Sequence, residues 1–108
     1  MYHIGRKQVD FRIRTEDDTI AAKGYPVKID EYPGITFIVH HPLNAFGVFE
    51  EFATYLWVLS EITAGRSFYG KITVSTSKAM AIKNAIAELQ NRGITTQHII
   101  DAINKEAK

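Results

Sequence analysis

The first part of the chain alternates apolar and polar residues with a period of two. The alternation is clearest in segments 9–14 and 27–30, and a weaker apolar segment at 19–23 lies between them and ends at Gly24. A period of two places successive side chains on opposite faces of a sheet, so each segment predicts a strand. Segment 35–40, rich in β-branched and aromatic residues, follows a Pro-Gly turn and predicts another. Together they predict an antiparallel meander.

Segment 55–74 predicts a β-hairpin. Residues 55–60 are apolar at both alternating positions, which is typical of a central strand. A turn with a glycine follows at Thr63–Arg66, and segment 67–74 returns as the partner strand. The hairpin therefore adds two strands to the sheet that the meander begins.

Two helices are predicted after the hairpin. Apolar residues recur at helical spacing in segment 79–89, and the hydroxyl residues at 75–77 precede them as N-cap candidates. Gly93 fits the position just after a helix, where the backbone takes a left-handed conformation. Either Thr95 or Thr96 would cap a second helix, which carries a narrower apolar stripe.

These elements predict a single α+β domain over residues 1–108. Its antiparallel sheet would have five to six strands, built from the meander plus the hairpin. The amphipathic helix at 76–91 would cover one face of the sheet. The second, C-terminal helix would lie beside the first or reach to a partner.

The sequence does not decide between a helix and a loop for segment 43–53. Phe46, Phe49 and Phe52 have helical spacing, but Gly47 disfavours a helix there by about 1 kcal/mol. These phenylalanines would pack mostly in the core, and part of the set is a candidate subunit or partner interface, where aromatic residues are enriched. Because the edge of the meander must also be covered, a homodimer or a complex with a partner protein is expected.

Composition and charge exclude several classes of protein. There are 13 lysines and arginines against 12 aspartates and glutamates, a net charge of +1, so composition alone makes no case for nucleic acid. The absence of cysteine excludes disulfides, thiolate catalysis and cysteine-based zinc sites. No secretory signal pattern and no run of about 18 apolar residues occurs, so we expect a cytoplasmic protein with no membrane span.

The sequence GRSFYGK at Gly65–Lys71 matches the first seven positions of a phosphate-binding loop. The eighth position needs Ser or Thr to hold magnesium, and here it is Ile72. Such a loop also opens a helix, whereas the residues after Lys71 predict more strand. A hairpin turn followed by an aromatic-rich strand is the better interpretation, so no cofactor-binding residue is predicted.

Histidine and serine give no catalytic or metal site. His40 and His41 are adjacent on a predicted strand, so they point to opposite faces and do not easily bind one metal ion together. His3 or His98 would have to join one of them, and no metal-binding spacing is present. None of the serines lies in a nucleophile-elbow motif. An enzyme or a metal-binding protein is therefore only a distant alternative.

Basic residues mixed with aromatic rings give a second functional hypothesis. Arginines share one face of the first strand, and cations flank two aromatic residues in the hairpin. Such a surface can stack bases and neutralise phosphates, although a solvated outer face explains the same pattern. The candidate contacts are Arg12, Arg14, Arg66, Phe68, Tyr69 and Lys71.

Residues 36–92 resemble small accessory proteins of bacterial phages and other mobile elements. The shared features are VHHPLN at 39–44, WVLSEITAGRSF at 57–68 and AIKNAIAEL at 81–89. The resemblance implies a small regulatory protein that acts by binding and supplies no functional residues. The leading hypothesis is thus a non-enzymatic accessory protein that acts through protein–protein contacts. A nucleic-acid-binding module is the alternative.

Overall fold

The computed structural model describes residues 1–14, 19–41, 56–62, 66–67 and 75–106. In chain order the elements are β1 (Tyr2–Ile4), β2 (Val9–Arg14), β3 (Thr19–Ile29), β4 (Phe37–His40), β5 (Val58–Glu61), β6 (Arg66–Ser67), α1 (Lys78–Asn91) and α2 (Thr96–Glu106). The strands form one antiparallel sheet in the order β1-β3-β4-β5-β6, with β2 also paired to β3. The predicted α+β class is confirmed.

β3 is one continuous strand of 11 residues, so the predicted break at Gly24 is wrong. Gly24 is buried in close contact with β4, where the absence of a side chain lets the two backbones approach. The carbonyl oxygen of Pro26 accepts a hydrogen bond from the N–H of Gly5 at 2.8 Å, so it points to the edge of β3 that carries β1 and β2. The missing N–H of Pro26 therefore falls on the same edge of β3, where the ladder with β2 has already ended.

β1 and β2 lie along the same edge of β3, one after the other. Ile4 pairs with Val27 and Val9 pairs with Gly24, so the chain between the two short ladders spans a gap in the pairing. No strand is predicted from the sequence before residue 9. β1 has only three residues, and its partner lies more than 20 residues away along the chain, so no local pattern marks it.

The main core lies on one face of the sheet, which we call the front face. α1 contributes Ala81, Ile82, Ala85 and Leu89, which lie within the predicted apolar segment. They pack in one cluster with residues of β3, β4, β5 and α2. The buried members of the cluster are Val27, Ile29, Tyr32, Ile35, Phe37, Val39, Leu59, Ala81, Ile82, Ala85, Leu89 and Ile99.

A second, smaller cluster lies on the opposite face, which we call the back face. It consists of Phe11, Ala22 and Ile38, with Val9 and Ile13 partly buried beside them. The alternation of apolar and charged residues in β2 produces this arrangement, since Val9, Phe11 and Ile13 point to the back face while Asp10 and Arg12 point to the front. The sheet is therefore apolar on both faces.

Both ends of α1 are capped as the sequence predicts. The hydroxyl oxygen of Ser77 accepts a hydrogen bond from the N–H of Met80 at 3.3 Å. Gly93 has a φ of +66°, and the N–H of Ile94 donates to the carbonyl of Leu89 at 2.9 Å. This is the pattern of a glycine C-cap, in which the following apolar residue packs back on the helix.

α2 begins with a reciprocal cap in which histidine takes the place that glutamate or glutamine usually holds. The N–H of Thr95 donates to Nδ1 of His98 at 3.0 Å. The N–H of His98 donates in turn to Oγ1 of Thr95 at 3.3 Å. Of the two predicted capping residues, Thr95 is therefore the one used.

The predicted hairpin is seen in part. Glu61 of β5 pairs with Arg66 of β6, and an isolated bridge joins Trp57 to Ser75. The turn residues 63–65, most of the returning strand and segment 43–53 lie outside the described residues. In the part of the chain that is described, no helix has the length and apolar character to cross a membrane.

Candidate functional site

Three half-buried rings cluster on the front face. Tyr25 belongs to β3, His41 follows β4 and Trp57 precedes β5. The ring centroids of His41 and Trp57 are 4.0 Å apart, and those of Tyr25 and Trp57 are 6.3 Å apart. With Lys78, which begins α1, these residues form what we call the aromatic surface.

Lys78 places a positive charge over two of the rings. Its Nζ lies 4.3 Å from the ring centroid of Tyr25 and 5.2 Å from that of Trp57. Both distances are within the range of a cation–π interaction. The start of α1 thus holds an ammonium group against the aromatic rings of the sheet.

The orientation of His41 is fixed by a backbone hydrogen bond. Its Nδ1 lies 2.8 Å from the carbonyl oxygen of Leu56. A carbonyl oxygen only accepts, so Nδ1 carries the hydrogen and donates. This bond fixes the way the ring of His41 is turned, beside the ring of Trp57.

Further charged residues lie on the same face, next to the aromatic surface. Lys23 is exposed two residues before Tyr25 in β3 and is paired in register with Asp10 of β2. Arg12, also exposed, follows Asp10 by two residues and therefore shares its face. Of these two cations Lys23 is the nearer to Tyr25, with the carboxylate of Asp10 opposite it, whereas Arg12 is in register with Ala21 and lies further from the rings.

A second polar group is buried on the back face, where His40 and Ser60 meet. They are 3 % and 1 % exposed, and Nε2 of His40 lies 2.7 Å from Oγ of Ser60. Nδ1 of His40 lies 3.0 Å from the carbonyl oxygen of His41, so Nδ1 donates and Nε2 accepts the hydroxyl proton of Ser60. The ring of Phe11 packs 4.7 Å away, centroid to centroid.

Burial lowers the pKa of His40 to about 4, so its imidazole is neutral near pH 7. A serine hydroxyl bonded to an imidazole nitrogen is also the geometry of a nucleophile and its base. Here the hydroxyl is inaccessible to a substrate and the base is weak. Nδ1 also donates to a backbone carbonyl, where a catalytic histidine commonly donates to a carboxylate. The pair is best explained as a hydrogen bond that joins β4 to β5.

The structure separates the basic residues that the sequence analysis grouped together. Arg12 and Arg14 lie in β2, whereas Arg66 lies in β6 at the opposite edge of the sheet. The other proposed contacts, Phe68, Tyr69 and Lys71, lie outside the described residues, as do the interface candidates Phe46, Phe49 and Phe52. Arg66 therefore cannot belong to a single compact patch with the arginines of β2.

The aromatic surface was missed because its rings come from separate segments. Tyr25 lay outside the predicted strands, and His41 was considered only as a candidate metal ligand or catalytic group. As expected for adjacent strand residues, His40 and His41 lie on opposite faces, packed on Phe11 and Trp57. Among the described residues, no three His, Cys, Asp or Glu side chains are close enough together to hold a metal ion.

Comparison with protein-family models, with curated proteins and with solved structures gives no significant match. The resemblance to accessory proteins of phages and mobile elements therefore stays a prediction. Any functional inference must come from the side chains themselves.

Proposed function

We propose that the protein is a non-enzymatic binding protein and that single-stranded nucleic acid is the ligand of the aromatic surface. The observation that carries the proposal is the row of half-buried rings, Tyr25, Trp57 and His41, with the ammonium group of Lys78 beside them. Aromatic rings on an open sheet are the usual stacking platform for unpaired bases, and neighbouring cations contact the phosphates.

The charges near the rings support a polyanionic ligand. Lys78 lies over two rings, and Lys23 and Arg12 are exposed on the same face. A base that stacks on the rings would bring a flanking phosphate close to Lys78, whose Nζ lies over two of them. The net charge of +1 for the whole chain is compatible with this, because the contact depends on the local cluster.

The same geometry favours a single strand over a duplex. In a duplex the bases stack on one another, and their faces are not available to side chains. An unpaired base can be turned onto a ring of the sheet at little cost. We therefore propose binding through stacking and phosphate contacts, with little sequence preference.

A non-catalytic role is also proposed from the buried pair on the back face. His40 and Ser60 are the described groups that most resemble catalytic machinery, and both are almost fully buried. Their geometry supports a structural role. An accessory protein that works by binding agrees with this.

Trp57 is the only tryptophan in the chain, so its fluorescence reports directly on the proposed site. We expect an oligothymidine of about 12 nucleotides to quench this fluorescence in a saturable way. If about three phosphates are contacted, raising the salt concentration from about 50 to about 200 mM should weaken binding about 20-fold. A duplex of the same length should bind more weakly. No fluorescence change and no gel shift with either nucleic acid at low salt would refute the proposal.

Two variants test the roles assigned to the side chains. Tyr25→Leu keeps an apolar side chain but removes the ring, and it should weaken binding by roughly 5- to 100-fold. Lys78→Gln should reduce the slope of log K against log salt by about 0.7. Lys83→Gln is the matched control, because Lys83 is exposed on α1 about 140° around the helix from Lys78. Equal effects of the two lysine variants would contradict the assigned role of Lys78.

Contact with a protein partner is the second candidate function. It is favoured by a different feature, the outer edge of β2, which faces away from β3. In the described part of the chain β2 pairs with β3 alone. An open strand edge is a site where another chain can add a strand.

A further inference from the structure

β2 is an edge strand that is apolar on one face and charged on the other. Its back-face side chains, Val9, Phe11 and Ile13, are apolar and at least partly buried. On the front face, Asp10 and Arg12 are exposed and have opposite charges. Proline and charged side chains are the usual devices that keep an edge strand single; the sequence VDFRIR has no proline, and its Asp10 and Arg12 have opposite charges that a second copy of the strand could pair.

We propose that β2 pairs with β2 of a second copy of the chain, antiparallel and with Phe11 opposite Phe11 of the second copy. A twofold axis through this position joins the two sheets edge to edge. Asp10 then lies opposite Arg12 of the second copy, and Arg12 lies opposite its Asp10. On the back face Val9 lies opposite Ile13 of the second copy. This inference goes beyond the proposed nucleic-acid function and does not depend on it.

Charge complementarity selects this register over its neighbours. A twofold axis through Arg12 would place two arginines directly opposite each other, and an axis through Asp10 would do the same with two aspartates. Directly opposed like charges destabilise a strand pair, whereas opposite charges and apolar pairs stabilise it. A shift by one residue would bring charged side chains to the apolar back face. Of these registers, only the one centred on Phe11 pairs opposite charges on the front face and apolar side chains on the back face.

The pairing would also extend the back-face cluster. Phe11 is 7 % exposed, and Val9 and Ile13 lie half-buried at the rim of the cluster with Ile38. In the paired arrangement these rims meet across the twofold axis. Apolar side chains that are partly exposed in one copy become buried between two.

Light scattering after size-exclusion chromatography, on nucleic-acid-free protein from about 1 to about 200 µM, tests the pairing. We expect the mass to reach twice 12.2 kDa at the upper end. Asp10→Arg alone sets arginine against arginine, and Arg12→Asp alone sets aspartate against aspartate. Each variant should weaken dimerisation about tenfold or more. The matched control is Asp101→Arg, a reversal at an exposed position of α2, which should leave the dimer unchanged.

An equimolar mixture of D10R and R12D gives the decisive measurement. In the mixed pair arginine faces aspartate at both ends, so a heterodimer should form although neither variant pairs with itself. Circular dichroism of each variant confirms that it is folded. A wild-type protein that stays monomeric over the whole range would overturn the proposal. So would a dimer that is unaffected by the single reversals, or a mixture that remains monomeric.

Discussion

Replacing Gly24 by alanine should lower the free energy of unfolding by about 3 kcal/mol or prevent folding. A Cβ atom at this position would lie 2.6 Å from the carbonyl oxygen of Val39 and 2.9 Å from Cβ of His40. The first of these is a backbone atom of a central strand, and it cannot move without disturbing the ladders on both sides. Chemical denaturation of the wild type and the variant measures the difference.

Gly34→Ala is the matched control for the Gly24 substitution. Gly34 has a φ of +83°, and an added Cβ would meet no atom within 4 Å. This substitution therefore carries only the cost of a left-handed conformation, about 1 kcal/mol. Similar small losses for both variants would show that β3 and β4 can move apart, and that close approach is not the reason for Gly24.

Acidification should remove about 3 kcal/mol of stability through His40. Its pKa is lowered from 6.5 to about 4 in the folded protein, chiefly by burial. Between these values the unfolded chain binds a proton that the folded protein does not, so unfolding becomes easier as the pH falls. The free energy of unfolding therefore keeps this contribution of about 3 kcal/mol above pH 6.5 and loses it progressively as the pH falls towards 4. Denaturation curves at several pH values measure it.

The variant His40→Gln isolates this contribution from the titration of other groups. Glutamine keeps polar atoms near Ser60 but does not bind a proton in this range, so the difference between wild type and variant should shrink as the pH falls. If the variant does not fold, the NMR titration of the His40 ring in the wild type supplies the same information. A ring that titrates near pH 6.5 would show that burial does not suppress protonation.

Local pattern was sufficient for most elements of the fold. The alternation in β2, the capping residues of α1 and the glycine at its end each act over a few residues, and each was predicted. The predicted break between segments 19–23 and 27–30 is wrong, because β3 continues through Gly24 and Pro26. Their usual effect is to interrupt a strand, and it is overridden here by close packing against β4 and by a gap in the β1–β2 edge. Neither feature is visible without the neighbouring strands.

The candidate site could not be predicted because it depends on strand order and register. Tyr25 and Trp57 come close only because β3, β4 and β5 are adjacent in the sheet. His40 meets Ser60 because Ile38 pairs with Ser60, which makes His40 its diagonal neighbour. A change of register by two residues would leave both strand patterns intact and remove this contact. Sequence alternation fixes the face of each residue but not its neighbours.

The division of one edge of β3 between two strands also predicts how the sheet opens. β1 is held by three residue pairs, whereas β2 is held by six. Release of β1 leaves the ladder between β2 and β3 intact, so it requires only a local fluctuation. Amide hydrogens in the β1 ladder should therefore exchange with solvent well before those of β4 and β5. On the edge that they share, β1 would then separate from β3 before β2 does.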